Sequence, residues 1–208
     1  MGFINGSTSI TRFLVNDTLP RNFIEEFPRR ISRHAFRNLD ESSDEERSTG
    51  WVNIMDMFDS QFIGTEFLND PYVALSWRLD VRRVPGKALK VYCRKAEEEL
   101  KKREGAEYLS KRQRQEIREG VLIQLLKRAI PRSHTYDMVW NLNTGMVMFG
   151  SLSNRICGEF AEFFFKTFEL HLVPVFPYSM AHQGLEKEGA NPELLDEMQP
   201  VEFLEEKQ

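Results

Sequence analysis

Hydrophobic positions along this chain change their period several times, and each change predicts an element. Ile10 to Val15 is a short run of strand-forming residues and predicts a first strand. Asn16-Asp17-Thr18-Leu19-Pro20 reads as a turn leading into a helix. Phe23, Ile24, Phe27, Ile31 and His34-Ala35 recur at three- and four-residue spacing, so a helix with one core-facing stripe is expected there. Pro28 falls inside that stripe and is expected to bend or interrupt it. Asn38 to Gly50 is polar, with Asp40, Glu41, Asp44, Glu45 and Glu46, and predicts an exposed loop. Order resumes at Trp51-Val52. Tyr72 to Val81 then alternates through Val73, Leu75, Trp77 and Leu79, the pattern of a strand.

Pro85-Gly86 closes the sheet pattern, and a helical period takes over. Leu89, Tyr92, Ala96 and Leu100 place one helix over 87–103, ended by Glu104-Gly105-Ala106. Ser110 starts a second helix, with Gln113 in position for a capping box. Its stripe is Ile117, Val121, Leu122, Leu125 and Leu126, and Pro131 stops it. Two helices around a short glycine break make a helical hairpin. Lys111 to Glu116 contains no apolar residue, so the far end has little to bury and is expected to project. Met138 to Trp140 and Met146 to Phe149 flank Asn141-Leu142-Asn143-Thr144-Gly145, a β-hairpin signal. A Phe-rich helix over 151–168 and a last strand over 172–176 complete the pattern.

The predicted class is α+β, with two β-α-β-type halves of mirrored order around a projecting basic helical hairpin. The corresponding divisions are 1–84 for the first half, 85–131 for the hairpin and 132–180 for the second half. Residues 181–208 follow as an acidic tail, with eight acids against two bases and a short helix expected after Asn191-Pro192.

Charge sharpens this picture. The 208 residues carry 28 Lys and Arg against 32 Asp and Glu, a net −4. Residues 82–132 alone hold 16 basic and 7 acidic residues, a local +9, which leaves −13 on the remainder. Hydrophobic content of 41% with 16 Phe excludes a disordered chain. No apolar run approaches the roughly 18–20 residues a bilayer span needs, and no signal peptide is expected. Two cysteines, Cys93 and Cys157, make no disulfide framework, so a cytoplasmic protein is expected.

Enzyme signatures are sparse. There is no phosphate-binding glycine loop and no dinucleotide fingerprint. His34, His134, His171 and His182 are scattered, with none at metal-ligand spacing. His134 is expected to be a satisfied structural histidine, Cys157 to be buried and inert, and Phe160 to Phe168 to be core. Asp56, Asp59 and Glu66 are the only candidate carboxylates for a metal-dependent nuclease. No metal or cofactor is expected.

The basic hairpin is the strongest chemical signal. Arg82, Arg83, Lys87, Lys90, Arg94 and Lys95 load its first arm; Lys111, Arg112, Arg114, Arg118, Lys127, Arg128 and Arg132 load the second. Lys111, Arg114 and Arg118 share one helical face. Cations held along a path suit a phosphodiester backbone, because each phosphate neutralised releases counterions. The bland alternative is a solvated helical pair in which Glu97 to Glu99 pair with Lys101 to Arg103. No helix-turn-helix, zinc finger or RNP motif supports base-specific reading.

These residues together resemble the RdgC family of bacterial recombination-associated DNA-binding proteins. The likeness begins with Phe3-Ile4-Asn5 and Thr11-Arg12-Phe13-Leu14 and continues at Gly50-Trp51-Val52, Arg78 and Val84-Pro85. It is best over Glu119 to Ile130, against a family run of Glu-Val-Leu-x-x-Leu-Leu-Pro-Arg-Ala-Phe. Arg128 and Ala129 match that run. Arg78 and Arg82 fall on family basic positions. Lys127 stands where the family has Pro, and Ile130 where it has Phe, a position linked to dimer contact. The Gly145 hairpin and Leu172-Val173-Pro174-Val175 also correspond.

The resemblance implies a cytoplasmic, nucleoid-associated homodimer that encloses double-stranded DNA without sequence preference and opposes RecA on it. Basic residues, Arg78 among them, would line the hole. The family carries a further stretch of chain beyond the region of Pro177, where this chain has a short acidic tail. An open clamp or a differently built dimer is therefore expected. The family also carries an exonuclease label. A protein-interaction module, with the basic hairpin docking an acidic partner or the chain's own tail, is the remaining reading.

Overall fold

The computed structural model describes residues 3, 9–40, 43–62 and 67–196. Its elements run β1 (Thr11–Val15), α1 (Phe23–Arg33), β2 (Arg47–Val52), β3 (Leu68–Asn69), β4 (Tyr72–Val81), α2 (Gly86–Glu104), α3 (Lys111–Arg128), β5 (Arg132–Asn141), β6 (Met146–Phe149), α4 (Asn154–Phe168), β7 (Leu172–Pro174) and α5 (Pro177–Lys187), followed by a 3-10 turn at Pro192–Leu195. The class is α+β. One seven-stranded antiparallel sheet has the order β2-β4-β5-β6-β1-β7, with β3 on β4. β1 lies between β6 and β7, so the two halves of the sequence share a single sheet.

The central ladder decides where the helices go. All ten residues of β4 pair with all ten of β5, from Tyr72↔Asn141 to Val81↔Arg132. The chain leaves the sheet after Val81 and re-enters at Arg132, which are each other's partners. The helical hairpin is therefore inserted at one end of this ladder. α2 buries no residue and α3 buries only Leu126, as expected for arms that pack on each other and stand away from the body.

α1 and α4 supply the core. Phe27 and Ile31 from α1 meet Phe160, Phe164 and Phe168 from α4 over Trp51, Trp77, Trp140 and Phe149 of the sheet. Phe149 and Phe160 stack with ring centroids 3.8 Å apart, and the indole N–H of Trp51 donates to Thr167 Oγ1 at 3.0 Å. Each such fully buried side chain stabilises the fold by about 1.5–3 kcal/mol. The Phe cluster is thus core, as its spacing predicts.

Several elements differ from expectation. α1 runs without interruption through Pro28. The bond that proline cannot donate would end on the carbonyl of Ile24, in the first turn of the helix, where Ile24 is exposed to solvent. β2 begins at Arg47, inside the predicted loop, because β4 offers it a complete ladder from Arg47↔Val81 to Val52↔Ser76. β5 begins at Arg132 for the same reason, although its first residues do not alternate in hydrophobicity. α5 begins at Pro177, where the hydrophobic pattern predicts no helix; only the short helix after Asn191 is expected beyond the last strand. That turn forms, with Asn191 Oδ1 accepting from Glu193 N at 3.1 Å.

Gly50 is fixed by close approach. Residues 34–36 run along the outer edge of β2, with Trp51 N donating to His34 O and Phe36 N to Trp51 O, both at 2.9 Å. A Cβ on Gly50 would stand 2.2 Å from Phe36 Cα and 2.3 Å from Phe36 N. Backbone cannot yield there as a flexible side chain would. Gly50→Ala is expected to displace this edge segment and cost about 2–4 kcal/mol, in the range of severe overpacking. Urea unfolding of the variant checks it, and an unchanged midpoint would contradict the contact.

Candidate nucleic-acid interface

The hairpin is built by local signals that agree with one another. α2 ends on Gly105 at φ 64°, and the turn that follows closes with Ala106 N donating to Lys101 O at 3.1 Å. A left-handed residue there favours glycine. Ser110 Oγ accepts from Gln113 N at 3.2 Å, while Ser110 N donates to Gln113 Oε1 at 2.9 Å. This is the capping box expected from the sequence. Gln113 Nε2 also donates to Glu104 Oε2 at 3.1 Å and ties the start of α3 to the end of α2. Leu109 is buried in the connection.

Between the arms lies a cavity of about 560 Å³ lined by Lys90, Cys93, Arg94 and Glu97 of α2 and by Lys111, Arg114, Gln115 and Arg118 of α3, with Gly86 and Leu89 at one end. Five cations and one carboxylate share this groove. All five cationic residues are exposed. The ion pairs of the hairpin lie elsewhere, at Lys95–Glu99 (3.9 Å) and Arg112–Glu116 (2.8 Å). Glu116 accepts from Arg112 and holds its guanidinium further above the usual range, in an i,i+4 pair on the exposed face of α3. In place of the alternative pairing of Glu97 to Glu99 with Lys101 to Arg103, Glu99 pairs with Lys95, and Lys101 Nζ lies 5.8 Å from the Tyr108 ring centroid.

The remaining basic positions fall into three groups. Lys87, Lys127 and Arg128 are exposed near the root of the hairpin. Arg83 and Arg132 are also exposed and line a different cavity, on the sheet. Arg78 and Arg82 are only 6% and 3% exposed, which corrects their placement on a phosphate-binding surface. Arg78 Nε and Nη2 donate to the two carboxylate oxygens of Asp80 at 2.9 and 2.8 Å, and Nη1 to Met57 O at 3.0 Å. The Arg78 guanidinium also lies 4.1 Å from the Phe36 ring centroid. Arg82 donates to the carbonyls of Leu39, Asp40 and Ser43. Both arginines clamp the covering loop segments to the sheet. Ile130 is 88% exposed, beside Arg128.

Other expectations resolve as follows. Cys157 is half-buried and free, with Sγ 3.5 Å from Thr11 Oγ1. His134 is exposed, because the β5 register that extends the strand to Arg132 places it on the rim of the sheet cavity. His34 lies against Phe163, His171 against Asp17, and His182 against Glu186. Asp56 Oδ1 accepts from Phe58 N, and Asp59 Oδ1 from Gln61 N, so both carboxylates serve turns of their own loop. Glu66 lies outside the described residues. Among the described residues no three His, Cys, Asp or Glu side chains are grouped to hold a metal ion. No described helix is long and apolar enough to cross a membrane.

Two arginines absent from the sequence reading are brought into the picture. Arg47 on β2 and Arg155 on α4 both bond to Glu159, the latter at 2.9 Å, and these bonds hold the Glu159 carboxyl below the usual range. Only the pairing of β2 with β4 and the packing of α4 bring them together.

A family model described as "Putative exonuclease, RdgC" matches residues 10–185. No curated protein matches the chain.

Proposed function

This chain belongs to the RdgC family, and on that premise we propose that it binds the backbone of double-stranded DNA without sequence preference, through the groove between α2 and α3. The observation that carries this reading is the convergence of Lys90, Arg94, Lys111, Arg114 and Arg118 from two antiparallel helices onto one cavity. Cations from both arms present a path of positive charge, which is what a row of phosphates requires, and none of them reads a base. The residues outside 82–132 carry a net −13, which disfavours DNA over most of the body.

We further propose that two copies act together on the duplex and that occupancy of DNA in this way restrains RecA-dependent recombination at the nucleoid. Support for association comes from Val91, Tyr92, Ile123 and Ile130, which are exposed apolar residues on or beside the hairpin. Ile130 is the position that the resemblance links to dimer contact.

In this reading the protein is not an enzyme, although the family description names an exonuclease. Asp56 and Asp59 stabilise the loop that also receives the Arg78 side chain at Met57 O. Random duplexes of unrelated sequence are expected to compete equally for the protein in a mobility-shift assay at low salt. End-labelled DNA incubated with Mg²⁺ or Mn²⁺ is expected to stay intact. Sequence-dependent competition would overturn the backbone reading, and progressive shortening of the labelled strand would overturn the non-catalytic one.

A further inference from the structure

The sheet carries a second cationic site, remote in chemistry from the hairpin groove. At the end of the sheet near α4 there is a cavity of about 340 Å³. Its lining combines Leu79, Val81, Tyr136 and Ile156 with Arg47, Arg83, Arg132, His134 and Arg155. Arg47 also lines an adjoining cavity of about 400 Å³ that continues along α4 to Phe163 and Lys166.

The charge here is in surplus and partly pre-organised. Glu159 is shared between Arg47 and Arg155, so one carboxylate orients two guanidinium groups and leaves a positive remainder. Arg83, Arg132 and His134 are exposed around the same opening. Arginines held in this manner lose little side-chain freedom when they bind a carboxylate or phosphate.

The floor selects between anions. A nucleotide needs an aromatic face on which its base can stack. The lining holds two rings: Tyr136, which already lies 5.9 Å from the Trp77 ring and 5.8 Å from the Phe149 ring, and the His134 imidazole, which is exposed at the rim rather than on the floor. The rest of the floor is aliphatic. An aliphatic floor inside a ring of arginines matches a ligand with one apolar side chain flanked by carboxylates.

We propose that this cavity docks a short acidic peptide segment of a partner protein, with an apolar side chain seated on Leu79, Val81 and Ile156 and carboxylates on Arg47, Arg83, Arg132 and Arg155. The proposal does not depend on DNA binding by the hairpin. It gives the chain a second, protein-directed contact at the base of the arm.

The test uses fluorescence anisotropy on the full chain with a labelled peptide of sequence Asp-Asp-Glu-Leu-Asp-Glu. Saturable binding at micromolar protein is expected, and at least tenfold weaker binding when Leu is replaced by Ser. The double variant His134→Glu with Arg155→Glu changes two exposed side chains and is expected to lose the peptide at least tenfold while keeping its far-UV circular dichroism. Charge reversal at Lys111, Arg114 and Arg118 is expected to leave peptide affinity unchanged. The proposal is overturned if the Ser-substituted peptide binds equally well, if the hairpin variant rather than the cavity variant loses the peptide, or if no binding is detected. It is also overturned if the peptide binds only after residues 197–208 are deleted, which would make the chain's own tail the occupant.

Discussion

Charge reversal of Lys111, Arg114 and Arg118 to Glu is expected to weaken duplex binding by about a hundredfold or more near 0.1 M salt, without lowering thermal stability. The three residues line one side of the inter-helix groove and are exposed. α3 buries only Leu126, well beyond them along the helix, so no packing is lost. Each phosphate contact removed lowers the logarithm of affinity by about 0.9 near 0.1 M salt and reduces the salt slope by a similar amount. Three lost contacts therefore give several hundredfold before repulsion from the new carboxylates is added. The same change at Arg112 alone is expected to have a small effect, because Arg112 does not line the groove. Quantitative mobility shifts with the two variants check this. A loss at Arg112 one third as large in log units as that of the triple variant would mean that bulk charge, rather than the groove, governs binding.

Asp80→Ala is expected to destabilise the protein by about 3–5 kcal/mol, the cost of leaving a buried charge without its partner. The side chains of Arg78 and Asp80 are 7% and 6% exposed, and the pair is bidentate. Removing the carboxylate strands a guanidinium that cannot reach water unless the loop around Met57 and Phe58 opens. Replacing both partners, with Arg78→Met beside Asp80→Ala, is expected to cost less than Asp80→Ala alone, since no unpaired charge remains. Chemical denaturation of the single and double variants decides the point. A double variant weaker than the single would show that Arg78 serves the fold mainly through its carbonyl and ring contacts.

This pair also marks the limit of what the sequence discloses. The alternation Val73, Leu75, Trp77, Leu79 correctly identifies one buried face of β4. It consigns Ser76, Arg78, Asp80 and Arg82 to solvent, whereas all four are buried. Residues 36–40, 43 and 57–58 fold over that second face, and no local period announces such a covering. What rests on neighbours in sequence was legible: the capping box at Ser110 and Gln113, the glycine break at Gly105, the Phe160, Phe164 and Phe168 stripe, and the cationic face at Lys111, Arg114 and Arg118. What rests on pairing across the sheet was not. The early starts of β2 and β5 come from the ladder that β4 offers them. The meeting of Arg47 and Arg155 with Arg83 and Arg132 depends on three strands and a helix from distant parts of the chain. Pro28 misled for a related reason: its missing bond falls at an exposed first turn, where it costs little.

The salt dependence of binding to a random duplex tests the central claim most directly. If the five groove cations each neutralise one phosphate, the slope of log K against log salt is about −4.5 for one protomer, steepening when two copies engage the same duplex. A slope near zero, or no binding at micromolar protein in low salt, would contradict the assignment of the hairpin groove to the DNA backbone.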